Sequence, residues 1–161
     1  MASDRFWLRL RAWLSGLAAG MVVTIGAVAA PSLFALLERA QAGLVAGRLF
    51  QIEAHASLVA AVVLLLVERR IAARRAAQGR GSLFSPEMAL VLGALFCTVA
   101  GYFALQPMMA EARLGQGRFG FGQLHAVSSA FFLLKGVLWL ALAWRSAAPE
   151  AGPSAQTGAA A

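Results

Sequence analysis

The sequence is poor in charge and in cysteine. Charged residues make up 13% of its 161 residues, and it holds one cysteine, Cys97, and two histidines. A single cysteine excludes an intrachain disulfide and a paired-cysteine metal or redox motif. With 60% hydrophobic residues and a mean hydropathy of +0.72, the chain lies outside the composition of ordinary soluble domains. The composition therefore indicates a protein that is solvated mainly by a lipid bilayer.

Four apolar segments explain this composition. They cover roughly residues 12–36, 49–67, 86–107 and 124–144. Each is close to the ~20 residues with which a helix crosses about 30 Å of hydrocarbon. We therefore predict an all-α fold, a bundle of four transmembrane helices within residues 1–145. Residues 146–161 lack the large apolar side chains of a core and are predicted to be a disordered cytoplasmic tail.

Basic residues lie mainly on one side of these segments. They precede the first segment, separate the second from the third, or follow the fourth: Arg5, Arg9, Arg11, Arg69, Arg70, Arg74, Arg75, Arg80 and Arg145. By the positive-inside rule, both termini and the middle loop are cytoplasmic. We predict an N-in/C-in protein of a bacterial inner membrane, with anionic lipid against the arginine-rich loop. Despite the net charge of +7, nucleic acid is not expected, because the arginines have no motif context for bases.

The first segment also resembles a secretory signal peptide. Arginines precede an apolar run, and "AVAAP" at 27–31 resembles a cleavage site. The apolar run continues through Leu37, however, and Pro31 follows Ala30 directly. An uncleaved helix is therefore the favoured interpretation.

Small residues recur at every fourth position in the first and third segments. The first carries Ala12, Gly16, Gly20 and Thr24, and the third carries Ala89, Gly93, Cys97 and Gly101. Such stripes let helix backbones approach closely in lipid, where no hydrophobic effect drives helices together. We predict that both stripes are helix-packing faces.

Local signals mark the helix ends. The tetrapeptide "SPEM" at 85–88 predicts the start of the third helix, with Ser85 as the N-cap and Pro86 at the first helical position. Pro107 is expected to end this helix, and Pro31 to kink or stop the first. The reason is that proline lacks the N–H that a helix interior needs.

Lys135 stands in the middle of the fourth segment, between "AFFLL" and "GVLWL". An unpaired charge at that depth is costly, so it should face the bundle interior and find a partner. The best acidic candidate is Glu53, because the lysine side chain leans toward its helix N-terminus and so toward the level of Glu53. His55, about 200° around the helix from Glu53, cannot share its face.

His125 and Ser128 extend this polar group in the fourth segment. Both lie on the side of Lys135 at helical spacing, so together they predict a polar stripe from the surface to the middle of the membrane. Two interpretations stay open. The stripe is either a path for a proton or ligand, or a structural ion pair with hydrogen bonds that fixes helix register, and the second is favoured.

Metal or haem binding is a weaker hypothesis. Its candidate ligands are His55, His125, Met108 and Met109, residue types that suit copper or haem iron. The predicted depths of the two histidines differ by about 10 Å, and no ligand spacing is diagnostic. No metal and no cofactor are predicted.

The pattern G-x-G-x-x-G at 115–120 is not interpreted as a nucleotide site. The dinucleotide fingerprint requires a preceding strand, whereas here an apolar helical segment precedes it. No Ser/His/Asp, paired-carboxylate or phosphate-loop arrangement fits the predicted topology. No enzymatic activity is predicted.

Three motifs carry a family resemblance: A-P-x-L-F at 30–34, A-G-x-x-x-G-R-L-F at 42–50 and F-x-x-L-H-x-x-S at 121–128. Together they resemble the bacterial membrane family called domain of unknown function 4149, related to transmembrane-protein-205-like proteins. The matching positions are Pro31, Phe34, Gly43, Gly47, Arg48, Phe50, His125 and Ser128. The resemblance implies a four-helix inner-membrane protein without an established activity, and it carries over no catalytic residues.

The function favoured by the sequence is that of a small structural or accessory four-helix bundle in the membrane. One alternative is a transporter or channel-like element that moves protons, metal or a small solute along Glu53, Lys135 and His125. The other is a copper- or haem-binding membrane protein. A protein partner or a homo-oligomer is compatible with all three.

Overall fold

The computed structural model describes residues 2–79, 82 and 84–147. Within these residues the chain is helical except at short turns, and it contains no strand. Four helices are long and apolar enough to cross a membrane, which confirms the all-α, four-helix prediction. Arg80 and residues 148–161 of the predicted tail lie outside the described residues.

Helices 2 and 4 are unbroken, and both are longer than predicted. Helix 2 is Arg39–Ala77 and helix 4 is Phe121–Ala147. The 39 residues of helix 2 span about 58 Å at 1.5 Å per residue, far more than the hydrocarbon thickness. Hydropathy marks only the part of a helix that lies in lipid. The extensions of helix 2 on either side are rich in alanine and arginine, which favour a helix in water.

Helices 1 and 3 each contain a π-helical turn. Helix 1 covers residues 2–36 as Ala2–Val23, the π-helical turn Thr24–Ala29 and Ala30–Leu36. Helix 3 covers residues 86–113 in the same manner. Its parts are Pro86–Thr98, the π-helical turn Val99–Ala104 and Leu105–Arg113. The predicted N-cap is confirmed, since Ser85 Oγ accepts a hydrogen bond from the Met88 N–H at 3.1 Å.

The two prolines do not end their helices. Pro31 and Pro107 each follow a π-helical turn by two or three residues, and the chain stays helical to Leu36 and Arg113. The prediction that Pro107 ends helix 3 is therefore wrong. A local π-helical adjustment satisfies backbone groups that a proline would otherwise leave unpaired, so the helix runs on through it.

The helices form an up-down-up-down bundle. Arg11 of helix 1 lies beside Glu68 of helix 2, and Glu87 of helix 3 bonds to Arg145 of helix 4. We call the end of the bundle that holds these four residues the arginine-rich end, and the opposite one the far end. The apolar core lies toward the arginine-rich end. It consists of Ala18, Ala19, Val22, Ala61, Leu64, Val91, Ala94, Trp139 and Leu142.

The small-residue stripe of helix 1 does not pack inside this chain. Gly16 and Gly20 are exposed, and nothing lies within 4 Å of a Cβ built on either, so the predicted packing face is wrong here. Helix 1 buries Ala18 and Arg11 instead. The physical reason is that Arg11 pairs with Glu68, and Arg11 and Gly16 point about 140° apart, so both cannot face inward.

The stripe of helix 3 does face a neighbour. A Cβ added at Gly93 would lie 3.1 Å from Leu138 Cδ1, and one added at Gly101 would stand directly against Phe131 Cβ. A Cβ added at Gly26, in the π-helical turn of helix 1, would likewise lie 2.7 Å from Phe132 Cε1. Glycine at these positions lets helix 4 seat two adjacent phenylalanines against the two π-helical turns.

The substitution Gly101→Ala is expected to destabilise the bundle by about 1–3 kcal/mol, the usual cost of overpacking. The new methyl group meets Phe131 Cβ, an atom that cannot rotate away without moving helix 4. Gly26→Ala is expected to cost less, because the new methyl group meets the far end of the Phe132 side chain, which can shift more easily than a Cβ. Thermal unfolding of the purified protein in detergent measures both effects.

Gly20→Ala is the matched control, since open space surrounds its Cβ position. Its melting temperature should stay within the small range of surface substitutions. Equal melting temperatures for Gly101→Ala and Gly20→Ala would contradict the close packing of helices 3 and 4.

Candidate functional site

Lys135 and Glu53 form an ion pair inside the bundle. The Lys135 Nζ donates to Glu53 Oε2 at 2.7 Å, and the two side chains are only 3% and 1% exposed. Lys135 is the sole lysine of the sequence. The contact joins helix 2 to helix 4 across 82 positions of the chain. The pair neutralises both charges where neither could reach water.

Two further groups complete the surroundings of this pair. Ser57 Oγ, one helical turn beyond Glu53, donates to Glu53 Oε1 at 2.5 Å, so each carboxylate oxygen accepts a hydrogen bond. The Lys135 Nζ also lies 5.0 Å from the ring centroid of Phe132, where the negative face of the ring attracts a cation. We call Glu53, Ser57 and Lys135 the central polar cluster.

Helix 2 turns Glu53 inward and His55 outward. Ala54 and Ala61, on the same side of helix 2 as Glu53, are also fully buried. His55 is exposed, and its Nδ1 lies 2.7 Å from the Gln51 carbonyl oxygen. Its ring meets Phe103 edge-on at 5.2 Å. His55 therefore belongs to the outer surface of helix 2 and stands apart from the central polar cluster.

Ser128 and His125 also lie apart from the central polar cluster. Ser128 Oγ donates to the Gly101 carbonyl oxygen in the π-helical turn of helix 3 at 2.7 Å. His125 is exposed and stacks on Phe121 with ring centroids 5.7 Å apart. The polar stripe expected along helix 4 is thus interrupted. The reason is that Phe131 and Phe132 fill the space between Ser128 and Lys135 against the glycines of helices 3 and 1.

The residues considered as metal ligands are scattered. His55 and His125 are exposed on different helices, Met108 is exposed and Met109 is buried. No cluster of three or more histidine, cysteine or acidic residues able to hold a metal occurs in the part of the chain that the structure describes.

A second group of charges lies at the arginine-rich end. The Arg11 Nη1 is 3.7 Å from Glu68 Oε1, both nearly buried, which makes an ion pair longer than a hydrogen bond. Arg145 donates from Nη2 and Nε to Glu87 Oε1 at 2.7 and 3.0 Å. Each of the four helices supplies one member. We call these four residues the terminal charge layer.

The sequence patterns did not predict the terminal charge layer. They identified Arg11 and Arg145 only as signals of orientation, because the positive-inside rule counts charges without partners. A signal was present, however: Glu68 and Glu87 stand at the ends of two apolar segments. In an antiparallel bundle those ends meet the arginine-bearing ends of the neighbouring helices.

An apolar layer separates the two charged groups. Glu53 and Glu68 share the buried face of helix 2 but lie about 22 Å apart along it, and Ala61 and Leu64 occupy the interval, both fully buried. Trp139 fills the same layer from helix 4. Among the described residues its indole N–H has no hydrogen-bond partner. No hydrogen bond of the described chain links the two charged groups across this layer.

The positions of the family pattern lie mostly toward the far end. Gly43 and Gly47 have open space around them, and Arg48 donates to Gln51 Oε1 at 2.8 Å on the surface. Phe50 packs edge-on against Phe132 at 5.1 Å and so joins the surroundings of Lys135. Pro31 and Phe34 are exposed on helix 1.

Comparison with known proteins gives one match. The family described as domain of unknown function, DUF4149, matches residues 13–118, which include two of the three motifs named above. No curated protein and no solved structure matches the chain. The matched range covers helix 1 from Trp13, all of helix 2 and all of helix 3. The chain is an integral membrane protein that belongs to the DUF4149 family.

Proposed function

We propose that this protein is a small accessory bundle of the membrane, in which the buried charges hold four helices in one register. One observation carries this proposal: a fully buried apolar layer separates the central polar cluster from the terminal charge layer. A path for ions or protons needs continuous polar groups or water. One ion pair on one side of an apolar layer and two on the other fit a structural role that fixes helix register better than a conduction path.

The geometry of the pairs supports the same role. Lys135 and Glu53 satisfy each other at 2.7 Å, and shifting helix 4 by one residue along or around its axis would break the contact. A charge left unpaired at that depth is costly. Other registers and rotations of helices 2 and 4 are therefore penalised, and fixing register is the best attested use of buried polar groups.

For its location, we propose a bacterial inner membrane with both termini and the loop at 78–85 in the cytoplasm. The support is the distribution of arginine. Arg5, Arg9, Arg69 and Arg70 are exposed at the arginine-rich end, and such residues are retained on the cytoplasmic side. Anionic lipid at the loop between helices 2 and 3 accords with this orientation.

A second candidate function is transfer of protons or a small solute in the far half of the bundle. It is favoured by the packing there, since none of residues 26–37 is buried and both π-helical turns lie in this half. Turns of this kind often mark functional sites. In this alternative, movement at the turns exposes the central polar cluster to the far side.

The substitutions Lys135→Met and Glu53→Gln are each expected to lower the free energy of unfolding by about 3–5 kcal/mol, the usual effect of removing one member of a buried pair. The double variant is expected to lose less than the sum, because neither charge is then left alone. Unfolding in detergent at fixed pH measures this coupling.

Glu111→Gln is the control for this cycle, since it makes the same chemical change at an exposed glutamate. It should leave the free energy of unfolding nearly unchanged. Strictly additive losses in the double variant would overturn the pairing and, with it, the proposed structural role.

Flux measurements in proteoliposomes distinguish the two functions. The wild-type protein is expected to carry protons and divalent metal ions no faster than protein-free vesicles, because the apolar layer blocks the way. Lys135→Arg, which keeps the charge, serves as the folded comparison. Flux in the wild-type protein that is lost in Lys135→Met and kept in Lys135→Arg would replace the accessory function with the transfer function.

A further inference from the structure

A groove lies on the exposed face of helix 1, close to the arginine-rich end. It has a volume of about 290 Å³ and is lined by Ala12, Trp13, Gly16 and Leu17. The floor is low because Gly16 has no side chain, and Gly20, one turn farther along, extends it. Trp13 and Leu17 form a raised edge, both more than 60% exposed. No part of the described chain covers this groove.

Two arginines lie on the same face of helix 1 as the groove, between it and the helix N-terminus. Arg9 lies within about 20° of Gly16 and Gly20 around the helix axis, and Arg5 is one turn nearer the terminus. Both are exposed, and neither pairs with an acid in the described part of the chain. They differ in this from Arg11, the nearby arginine that points inward to Glu68.

We propose that this groove seats one anionic phospholipid. The headgroup phosphate binds Arg9 and Arg5, and an acyl chain lies over Gly16 and Gly20. Guanidinium groups suit phosphate because they donate two parallel hydrogen bonds to it. The site differs from the arginine-rich loop between helices 2 and 3, and it does not depend on which side of the membrane the termini occupy.

The dimensions of the groove fit one lipid leaflet. Arg9 and Gly20 are eleven residues apart, which is about 16 Å along the helix and close to half of the ~30 Å hydrocarbon core. With the phosphate at Arg9, Trp13 would lie one turn deeper, where the headgroup meets the acyl chains, which is the usual depth of interfacial tryptophan. Along helix 1 the charged residues thus come first and the apolar surface follows, which matches the order of headgroup and acyl chain in a phospholipid.

The arginines favour a lipid over a second copy of this chain. Copies inserted in the same orientation are related by an axis along the membrane normal, so their interface is made by the same face of each. Packing through the groove would set Arg5 and Arg9 of both copies against each other, and no acid whose side chain is described lies on that face. An anionic headgroup instead neutralises the arginines. Each arginine is expected to raise the affinity for an anionic lipid about fivefold.

Lipid preference can be measured by tryptophan quenching. The full-length protein, with Trp7 and Trp144 changed to phenylalanine, is placed in vesicles of phosphatidylcholine and phosphatidylglycerol in which one lipid carries brominated chains. Trp13 then reports the lipid in the groove, because Trp139 is buried. We expect phosphatidylglycerol to be preferred roughly tenfold or more, and the double variant Arg5→Gln, Arg9→Gln to lose most of this preference.

The matched control removes two exposed arginines at the far end, Arg39→Gln and Arg118→Gln, and should keep the preference. Gly16→Leu, which fills the groove with a side chain and leaves both arginines in place, should reduce it. Equal quenching by both lipids in the wild-type protein would overturn the proposal. So would a preference that survives loss of Arg5 and Arg9.

A second copy in the groove is tested separately. In a Cys97→Ser background, Gly16→Cys is oxidised in phosphatidylglycerol vesicles at a low ratio of protein to lipid. We expect the chain to stay monomeric, because lipid occupies the groove. Efficient disulfide cross-linking of Gly16→Cys, together with loss of lipid preference, would assign the groove to a second copy instead.

Discussion

The ion pair between Lys135 and Glu53 is the constraint on which the bundle depends. A lysine in the middle of an apolar helix has no access to water, so it requires an acid at the same depth on a neighbour. That requirement sets the rotation of helices 2 and 4 together. Glu53 then takes the inner face of helix 2 and His55 the outer one, while Gly136 and Trp139 turn toward the core.

The rest of the packing follows from two charged groups that lie at different depths. The terminal charge layer joins helix 1 to helix 2 and helix 3 to helix 4 at one end, and the apolar core lies between it and the central polar cluster. Beyond Lys135, helix 4 seats Phe131 and Phe132 against Gly101 and Gly26. The far half has little buried surface, so the bundle is held firmly at one end and at its middle.

Much of this arrangement could be predicted from the sequence, because a charged side chain inside a membrane must be paired and few partners lie at the right depth. Four apolar stretches of sufficient length indicate four helices. Lys135 indicates Glu53 because the only other acid within these segments, Glu87, stands at a segment end. The roles of Arg11 and Ser128 could not be predicted in the same way. From the sequence, each of these side chains could pair with groups on several other helices. Only the packing of the helices brings one of those groups within reach.

The sequence by itself determined the number of helices, their apolar lengths and the need for a buried partner to Lys135, since these depend on hydrogen bonding and charge within single segments. Only the tertiary structure decided which face of each helix is buried. Gly16 and Gly20 follow the same four-residue period as Gly93, Cys97 and Gly101, yet the first two face outward and Gly101 is buried. Small residues permit close packing on any face, whereas the pairing of Arg11 with Glu68 selects one rotation of helix 1.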